Sequence, residues 1–235
     1  MLKGGNNLIK EKYLFTNPIE MPRGSHYGNN FWIMPSRKLG RNVKAFSNLE
    51  HEFHLTLEMD ANVEYYCEQP LKESIILDGV RKETVFDVYI HYKNGTDCLR
   101  EVKYSMDLEA SLADTSSRIY KQIEAQTMIC KQRGINYGVV TEKDIHKGKY
   151  TVRNLELLAA KVRRYTKHNQ EQKKSFVEYL KHQNEPLTFG TLIDRGRLTE
   201  NSGMDLIAVL VYEGLVRIPN MDSVPLGFKT EVCVC

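Results

Sequence analysis

No apolar run in these 235 residues is long enough to cross a bilayer. The opening Met1-Leu2-Lys3-Gly4-Gly5 lacks the apolar core of a signal peptide, which points to a cytoplasmic protein. Cysteine is sparse and odd in number, five in all, scattered singly apart from Cys233 and Cys235. That pattern reads as reduced thiols rather than a disulfide framework. Cys233 and Cys235 have neither a second pair nor a nearby histidine, so no zinc site is expected there. There is no internal repeat and no low-complexity tract, which excludes tandem arrays. Motifs for serine or cysteine hydrolysis are also absent, and His51, His54 and His91 have no ligand spacing that pairs them with cysteines.

What is present is an ordinary globular composition, 41% apolar with a net charge of +3. The length suits one large domain or two small ones. The charge is uneven. Residues 170–235 carry 7 Lys and Arg against 9 Asp and Glu, a balance of −2, while residues 1–169 carry +5. A net-basic region around carboxylates fits a metal site that must also hold a polyanion.

Those carboxylates lie in one hairpin. Phe86-Asp87-Val88-Tyr89-Ile90 runs to a turn at Lys93-Asn94-Gly95, and Leu99-Arg100-Glu101-Val102-Lys103-Tyr104 returns. Glu101 and Lys103 are two apart, so a strand points both to one face. Whether Asp87 joins them depends on the turn. A two-residue Asn-Gly loop pairs Asp87 with Val102, whereas a three-residue loop with Gly95 left-handed pairs it with Glu101. Gly95 suits either. The three-residue loop is expected because only it gathers Asp87, Glu101 and Lys103, a choice made on the chemistry and not on the turn sequence.

Residues 1–34 show no period and read as an extended arm punctuated by Gly4-Gly5, Asn17-Pro18, Pro22 and Gly28. Arg37, Lys38, Arg41 and Lys44 form a basic run without an acid, either a solvated loop or a set of phosphate contacts. A helix is expected from Ser47 to about Asp60, with Leu49, Phe53 and Leu57 as its buried stripe. Ser47 and Glu50 have capping-box spacing, which alone would account for Glu50. A strand over Val63 to Cys67 stops at Gln69-Pro70. Ile75-Ile76-Leu77, an Asp78-Gly79 turn and Val85 to Tyr92 read as the next hairpin. A helix from about Thr115 to Arg133 follows, capped by Gly134, with Ile119, Ile123 and Cys130 inward and Arg118, Lys121, Gln122, Gln126 and Lys131 read as surface. A strand at Ile135 to Thr141 and a helix ending near Tyr165 complete a first domain at 1–168. The 169–235 segment reads as three helices and a hairpin (Leu215 to Ile218 with Thr230 to Val234), the outline of a winged helix.

Two carboxylates beside a lysine suit metal-assisted phosphodiester hydrolysis. Hard oxygen ligands select Mg²⁺, with Mn²⁺ as a substitute. An ion pair of Asp87 with Lys103 on a sheet face is the plain structural alternative. The order Glu50, Asp87, Glu101-Val102-Lys103 resembles the PD-(D/E)xK nuclease superfamily. More narrowly, Ser47-Asn48-Leu49-Glu50, Tyr66-Cys67-Glu68-Gln69-Pro70, Phe86-Asp87-Val88, Arg100-Glu101-Val102-Lys103, Gly138 to Ile145 and Asn154-Leu155 resemble, in order, the TnsA endonucleases of heteromeric targeted bacterial transposons. Phe86 stands where the superfamily name has proline, and Glu101 where some members carry glutamine.

The resemblance implies an α/β fold, a restriction-endonuclease-like mixed sheet flanked by helices, followed by a small winged-helix-like domain. It implies Glu50, Asp87, Glu101 and the Val102 carbonyl as metal ligands and Lys103 as the catalytic lysine. It also implies cleavage of the non-transferred strand of double-stranded DNA at transposon ends, beside a TnsB-like transposase. A TnsC-like ATPase would dock on the second domain. Residues 202–213, where a recognition helix would lie, hold two acids and no Lys or Arg, which favours a protein partner there over DNA. A stand-alone nuclease and a non-catalytic DNA-binding regulator are the competing expectations.

Overall fold

The computed structural model describes residues 12–21, 30–165, 170–182, 187–196 and 198–235, the side chain of Gln172 apart. Among these, packing separates two units. The first holds the described residues up to Met34, Lys38–Phe53 and Asn62–Asp144; the second holds Pro35–Arg37, His54–Ala61 and those from Ile145 on. The expected domain boundary and most of the Lys167-His168-Asn169-Gln170 linker lie outside the described residues, as do Gly4-Gly5, Pro22 and Gly28 of the arm. Within the arm, Tyr13 stacks on Tyr65 at 4.2 Å and Phe15 meets Tyr89 edge-on at 5.3 Å.

Two short strands, β1 (Trp32–Ser36) and β2 (Arg41–Ala45), precede helix α1 (Asn48–Met59). Leu49, Phe53 and Leu57 of α1 are all buried, as the four-residue spacing requires. Five strands then follow where four were expected: β3 (Val63–Glu68), β4 (Lys72–Leu77), β5 (Val80–Val85), β6 (Val88–Tyr92) and β7 (Asp97–Val102). The Asp78-Gly79 turn, with both residues at positive φ, joins β4 to β5, so Val80–Val85 is the returning strand and not Val85 to Tyr92. The chain breaks at Phe86 and Asp87 and β6 starts afresh in another sheet. Alternation alone did not separate the two strands, because Val85-Phe86 and Val88 are apolar on either side of Asp87.

That other sheet is mixed, in the order β3-β6-β7-β8, with β8 (Asn136–Val140) parallel to β7 and the rest antiparallel. Residues of both parities are buried. Tyr65, Cys67, Tyr89 and Leu99 pack with Ile129 and Cys130 on one face, while Tyr66, Val88, Ile90 and Cys98 are buried on the other. Helix α2 (Ser105–Ala113) was not expected. It buries Ser105 and Ser111 and exposes Met106 and Leu112, at 75% and 65%, so hydrophobic period could not find it. Its first turn is tied down from outside, since the Glu142 carboxylate accepts from Ser105 N at 2.8 Å. Helix α3 (Arg118–Arg133) begins at the Ser117 cap and ends at Gly134 with φ +68°. It packs along β8 and the β4–β5 ribbon.

The first unit closes within α4 (Glu142–Ile145), and the second holds α5 (Thr151–Arg164), α6 (Gln170–Lys181), α7 (Phe189–Arg195) and α8 (Glu200–Tyr212). β9 (Leu187–Thr188), β10 (Val216–Arg217) and β11 (Glu231–Val234) form a three-stranded sheet in the order β10-β11-β9, one strand more than expected. Helix α8 packs on α5 and α7 and buries Leu206 to Leu210 without interruption. Its Asp205 is paired with Arg164 at 3.2 Å and Lys161 at 3.6 Å.

The loop between β6 and β7 is the three-residue form. Tyr92 N donates to Thr96 O and Gly95 N to Tyr92 O, both at 2.9 Å, with Gly95 at φ +83°. Replacing Gly95 by alanine is expected to cost about 1–2 kcal/mol, the strain of a Cβ in the left-handed region. Urea denaturation measures it, and an unchanged midpoint would mean that the loop tolerates another geometry.

Candidate active site

Register carries Asp87 to its position. β6 and β7 pair Val88 with Arg100, Tyr89 with Leu99 and His91 with Asp97, so Asp87 lies opposite Glu101 and shares its face. Val102 N donates to Asp87 Oδ2 at 2.8 Å, which locks the aspartate to the end of β7. Lys103 N donates to Val140 O at 3.0 Å and continues the parallel pairing with β8. Lys103 Nζ forms an ion pair with Glu101 Oε1 and reaches Val102 O at 3.4 Å. Glu101 is 0% exposed.

Glu50 comes from the first turn of α1. Its N–H donates to Ser47 Oγ at 3.1 Å, while its carboxylate accepts from Ser47 Oγ at 3.0 Å and from Phe46 N at 3.0 Å. The Ser47 half of the expected capping box is present, while the return bonds of Glu50 go to the Phe46 N–H and the Ser47 hydroxyl. The same carboxylate also lines the cleft that holds Asp87, Glu101 and Lys103, so the cap and the cleft share one side chain. Gln69 Nε2 approaches it at 3.4 Å from a backbone at φ +36°, an uncommon conformation for a non-glycine residue. Gln69 N also donates to Asp87 O at 2.8 Å. The cleft encloses about 880 Å³, and Lys82, Arg118 and Lys121 are among its lining residues.

Three carboxylates face one ammonium here. Burial, then the charge of Asp87, pushes the Glu101 carboxyl up to about 8 against the pull of Lys103 and Gln126. The same two causes push Glu50 up to about 7, opposed by the Phe46 N–H, the Ser47 hydroxyl and Lys103. Burial works against the Lys103 ammonium, yet the charges of Glu101 and Asp87 outweigh it and hold that group above its ordinary value. The cluster is short of positive charge. Among the described residues no three His, Cys, Asp or Glu side chains close into an ion cage by themselves. Mg²⁺ does not need a cage, because it keeps several waters and takes one or two carboxylates plus substrate oxygens. Asp87 and Glu101, with Glu50 nearby and an excess of negative charge, fit that demand.

Two residues read as plain surface belong to the site. Gln126 is 0% exposed and its Nε2 donates to Glu101 Oε2 at 2.7 Å, while Gln122 Nε2 donates to Glu101 Oε1 at 2.7 Å. A signal existed: Gln126 falls on the same helical stripe as Ile119, Ile123 and Cys130, where a polar residue needs a buried partner. Ile119 and Ile123 themselves are half-buried, and Ala125 and Ile129 complete the covered side.

The basic run is not gathered at the cleft. Arg37 Nη1 donates to Val162 O at 2.6 Å and Tyr165 O at 3.0 Å, and Lys38 Nζ to Val63 O at 2.7 Å. Arg41 grips Glu68 with two hydrogen bonds of 2.7 Å, whereas Lys44 is exposed.

Residues 60–142 match the model for the TnsA-like endonuclease N-terminal domain. That stretch is similar to TnsA-like nuclease domains, consistent with the PD-(D/E)xK order, and it contains Asp87, Glu101, Lys103, Gln122 and Gln126. No curated protein matches the chain.

Glu50 and Glu101 titrate above the ordinary carboxyl value of 4.5 when folded. Their stabilising contribution is complete below that value and is lost as pH rises through about 7 and about 8. Metal-free protein should lose stability from about pH 5 to 8, by up to ~1.4 kcal/mol per pH unit for each proton released. Glu101→Gln should flatten that slope in urea denaturation. A stability that is level or rising across the window in wild type contradicts the assignment.

Proposed function

We propose that the protein is the Mg²⁺-dependent endonuclease subunit of a heteromeric transposase, cutting the non-transferred 5′ strand at transposon ends during cut-and-paste transposition. The observation that carries this reading is the convergence of Asp87, Glu101 and Lys103 on one sheet face within the stretch that matches a TnsA-like endonuclease. A transposase-associated nuclease acting on DNA is what the match supports.

Asp87, Glu101 and the Val102 carbonyl would hold the metal, with Glu50 completing the set from α1. When bound, Mg²⁺ supplies a positive centre for the scissile phosphate and acidifies the attacking water. Lys103 stays protonated among its carboxylates. As an ammonium it can offset charge developing on the phosphate. Lys82, Arg118 and Lys121 on the cleft wall give the DNA backbone further positive charge. Among the described residues no helix is long and apolar enough to cross a membrane, in keeping with action on nucleoid DNA in the cytoplasm.

Residues 169–235 would form a winged-helix-like interaction domain that receives a TnsC-like ATPase, while the nuclease domain works beside a TnsB-like transposase. The burial of α8 and the pairing of Asp205 leave this helix without base contacts to offer a groove, which argues against a DNA-reading role for it. Deleting 170–235 should leave DNA binding in place, and its abolition would overturn this division of labour.

Cleavage of a labelled duplex bearing a transposon end, in Mg²⁺, tests the main reading. One strand should be cut when the transposase and ATPase encoded beside this protein are added. Asp87→Ala and Lys103→Ala should each lower the rate by at least about 10²-fold without loss of DNA binding. Cutting by the protein alone would favour a stand-alone nuclease. Binding without cutting under any condition would favour a non-catalytic regulator.

The basic run divides under the same assay. Lys44→Ala should reduce the slope of log affinity against log salt by about 1. Arg41→Ala should instead lower stability by about 3–5 kcal/mol, since it strands the buried Glu68 carboxylate. Equal salt slopes for Lys44→Ala and wild type would place this residue away from the duplex.

A further inference from the structure

Glu101 is held on both oxygens by carboxamides of α3. Gln122 takes Oε1 and Gln126 takes Oε2, each at 2.7 Å. The second amide is itself fixed. Gln126 Nε2 also lies 3.1 Å from Val85 O and 3.0 Å from Thr84 Oγ1, and Tyr137 O–H donates to Gln126 Oε1 at 2.6 Å. The Val85 carbonyl can only accept, so turning the amide over would set its oxygen against that group; the N–H₂ therefore lies on the side of Val85 O and Glu101. Its two hydrogens serve three acceptors, and the shortest contact is the one to Glu101. Tyr137 is not among the residues that line the cleft and touches the site through Gln126.

From this chain we infer that Gln126, oriented by Tyr137 and the Val85 carbonyl, is a positioning residue that works with Gln122 to hold Glu101 in the orientation required to bind a divalent cation. Burial gives the reason for such a device. A fully buried carboxylate has no water to orient it, and its nearest ion-pair partner, Lys103, pulls on one oxygen only. Without the amides, that pull would draw Glu101 toward the lysine. With them, both oxygens are fixed from the helix side, and hydrogen bonds of this kind set the geometry and affinity of a metal ligand.

The inference rests on the metal-dependent reading, and Mn²⁺ titration followed by electron paramagnetic resonance separates the two. Gln126→Met keeps the side-chain volume and removes the donor. It is expected to weaken Mn²⁺ binding by about 10- to 100-fold. Tyr137→Phe should weaken binding in the same direction, and the double variant should bind no more weakly than Gln126→Met alone, because both act along one chain of hydrogen bonds. Ile129→Val, on the same helix, is the control: it lowers the melting temperature and leaves Mn²⁺ affinity unchanged. If Gln126→Met fails to fold, the half-buried Gln122→Met takes its place, with the same loss expected. Mn²⁺ affinities equal to wild type in the carboxamide variants, or independent effects of Gln126 and Tyr137, would overturn the inference alone. No Mn²⁺ binding by the wild type would overturn the metal reading and the inference together.

Discussion

The site depends on the count of residues in one turn. With three residues between Tyr92 and Thr96, Asp87 stands opposite Glu101. With two, every side chain on one strand would shift by a position and Asp87 would face away. Gly95 makes the longer loop possible, because it closes the turn with a left-handed backbone at little steric cost. The fold reinforces the choice along both edges of β7. The antiparallel pairing to β6 and the parallel pairing to β8 hold that strand on either side, and Val102 N and Lys103 N complete the lock on Asp87 and β8.

Once the register is set, the sheet places charge where folding alone would not. Glu101 is fully buried, Glu50 nearly so, and a single lysine answers both of these and Asp87. Burying carboxylates costs stability unless they are paired and hydrogen-bonded. Here the compensation is partial: capping bonds hold Glu50, two carboxamides and an ion pair hold Glu101, and burial with the charge of Asp87 still pushes both carboxyls above their ordinary value. Retained strain of this kind, together with the left-handed backbone of Gln69, is characteristic of sites shaped by function.

Much of this was legible in the sequence. Leu49, Phe53 and Leu57 gave α1, the Ser47 and Glu50 pair gave its cap, and Gly134 gave the end of α3. Two-residue periodicity placed β3 and put Glu101 and Lys103 on one face, and the bulk of Tyr137, Val139 and Val140 placed β8. The turn length was legible only through chemistry, since Asn94-Gly95 suits both loops. Helix α2 was hidden because its serines face inward and its Met106 and Leu112 face outward, the inverse of the pattern that periodicity detects. Strand β5 was hidden by the short apolar bridge across Phe86. Gln122 and Gln126 were missed because a glutamine on a charged helix reads as solvated until a buried acceptor is known. The roles of Arg37, Lys38 and Arg41 could not be read from charge alone, because a backbone carbonyl or a distant Glu68 leaves no local signal beside them.

The most direct measurement is an anomalous-scattering map from crystals of the wild-type protein soaked in Mn²⁺. The expected result is a peak bounded by the carboxylates of Asp87 and Glu101, absent from crystals of Asp87→Ala. Manganese bound elsewhere, or no peak under conditions in which the protein cleaves DNA, would contradict the central claim that this register exists to hold a cation.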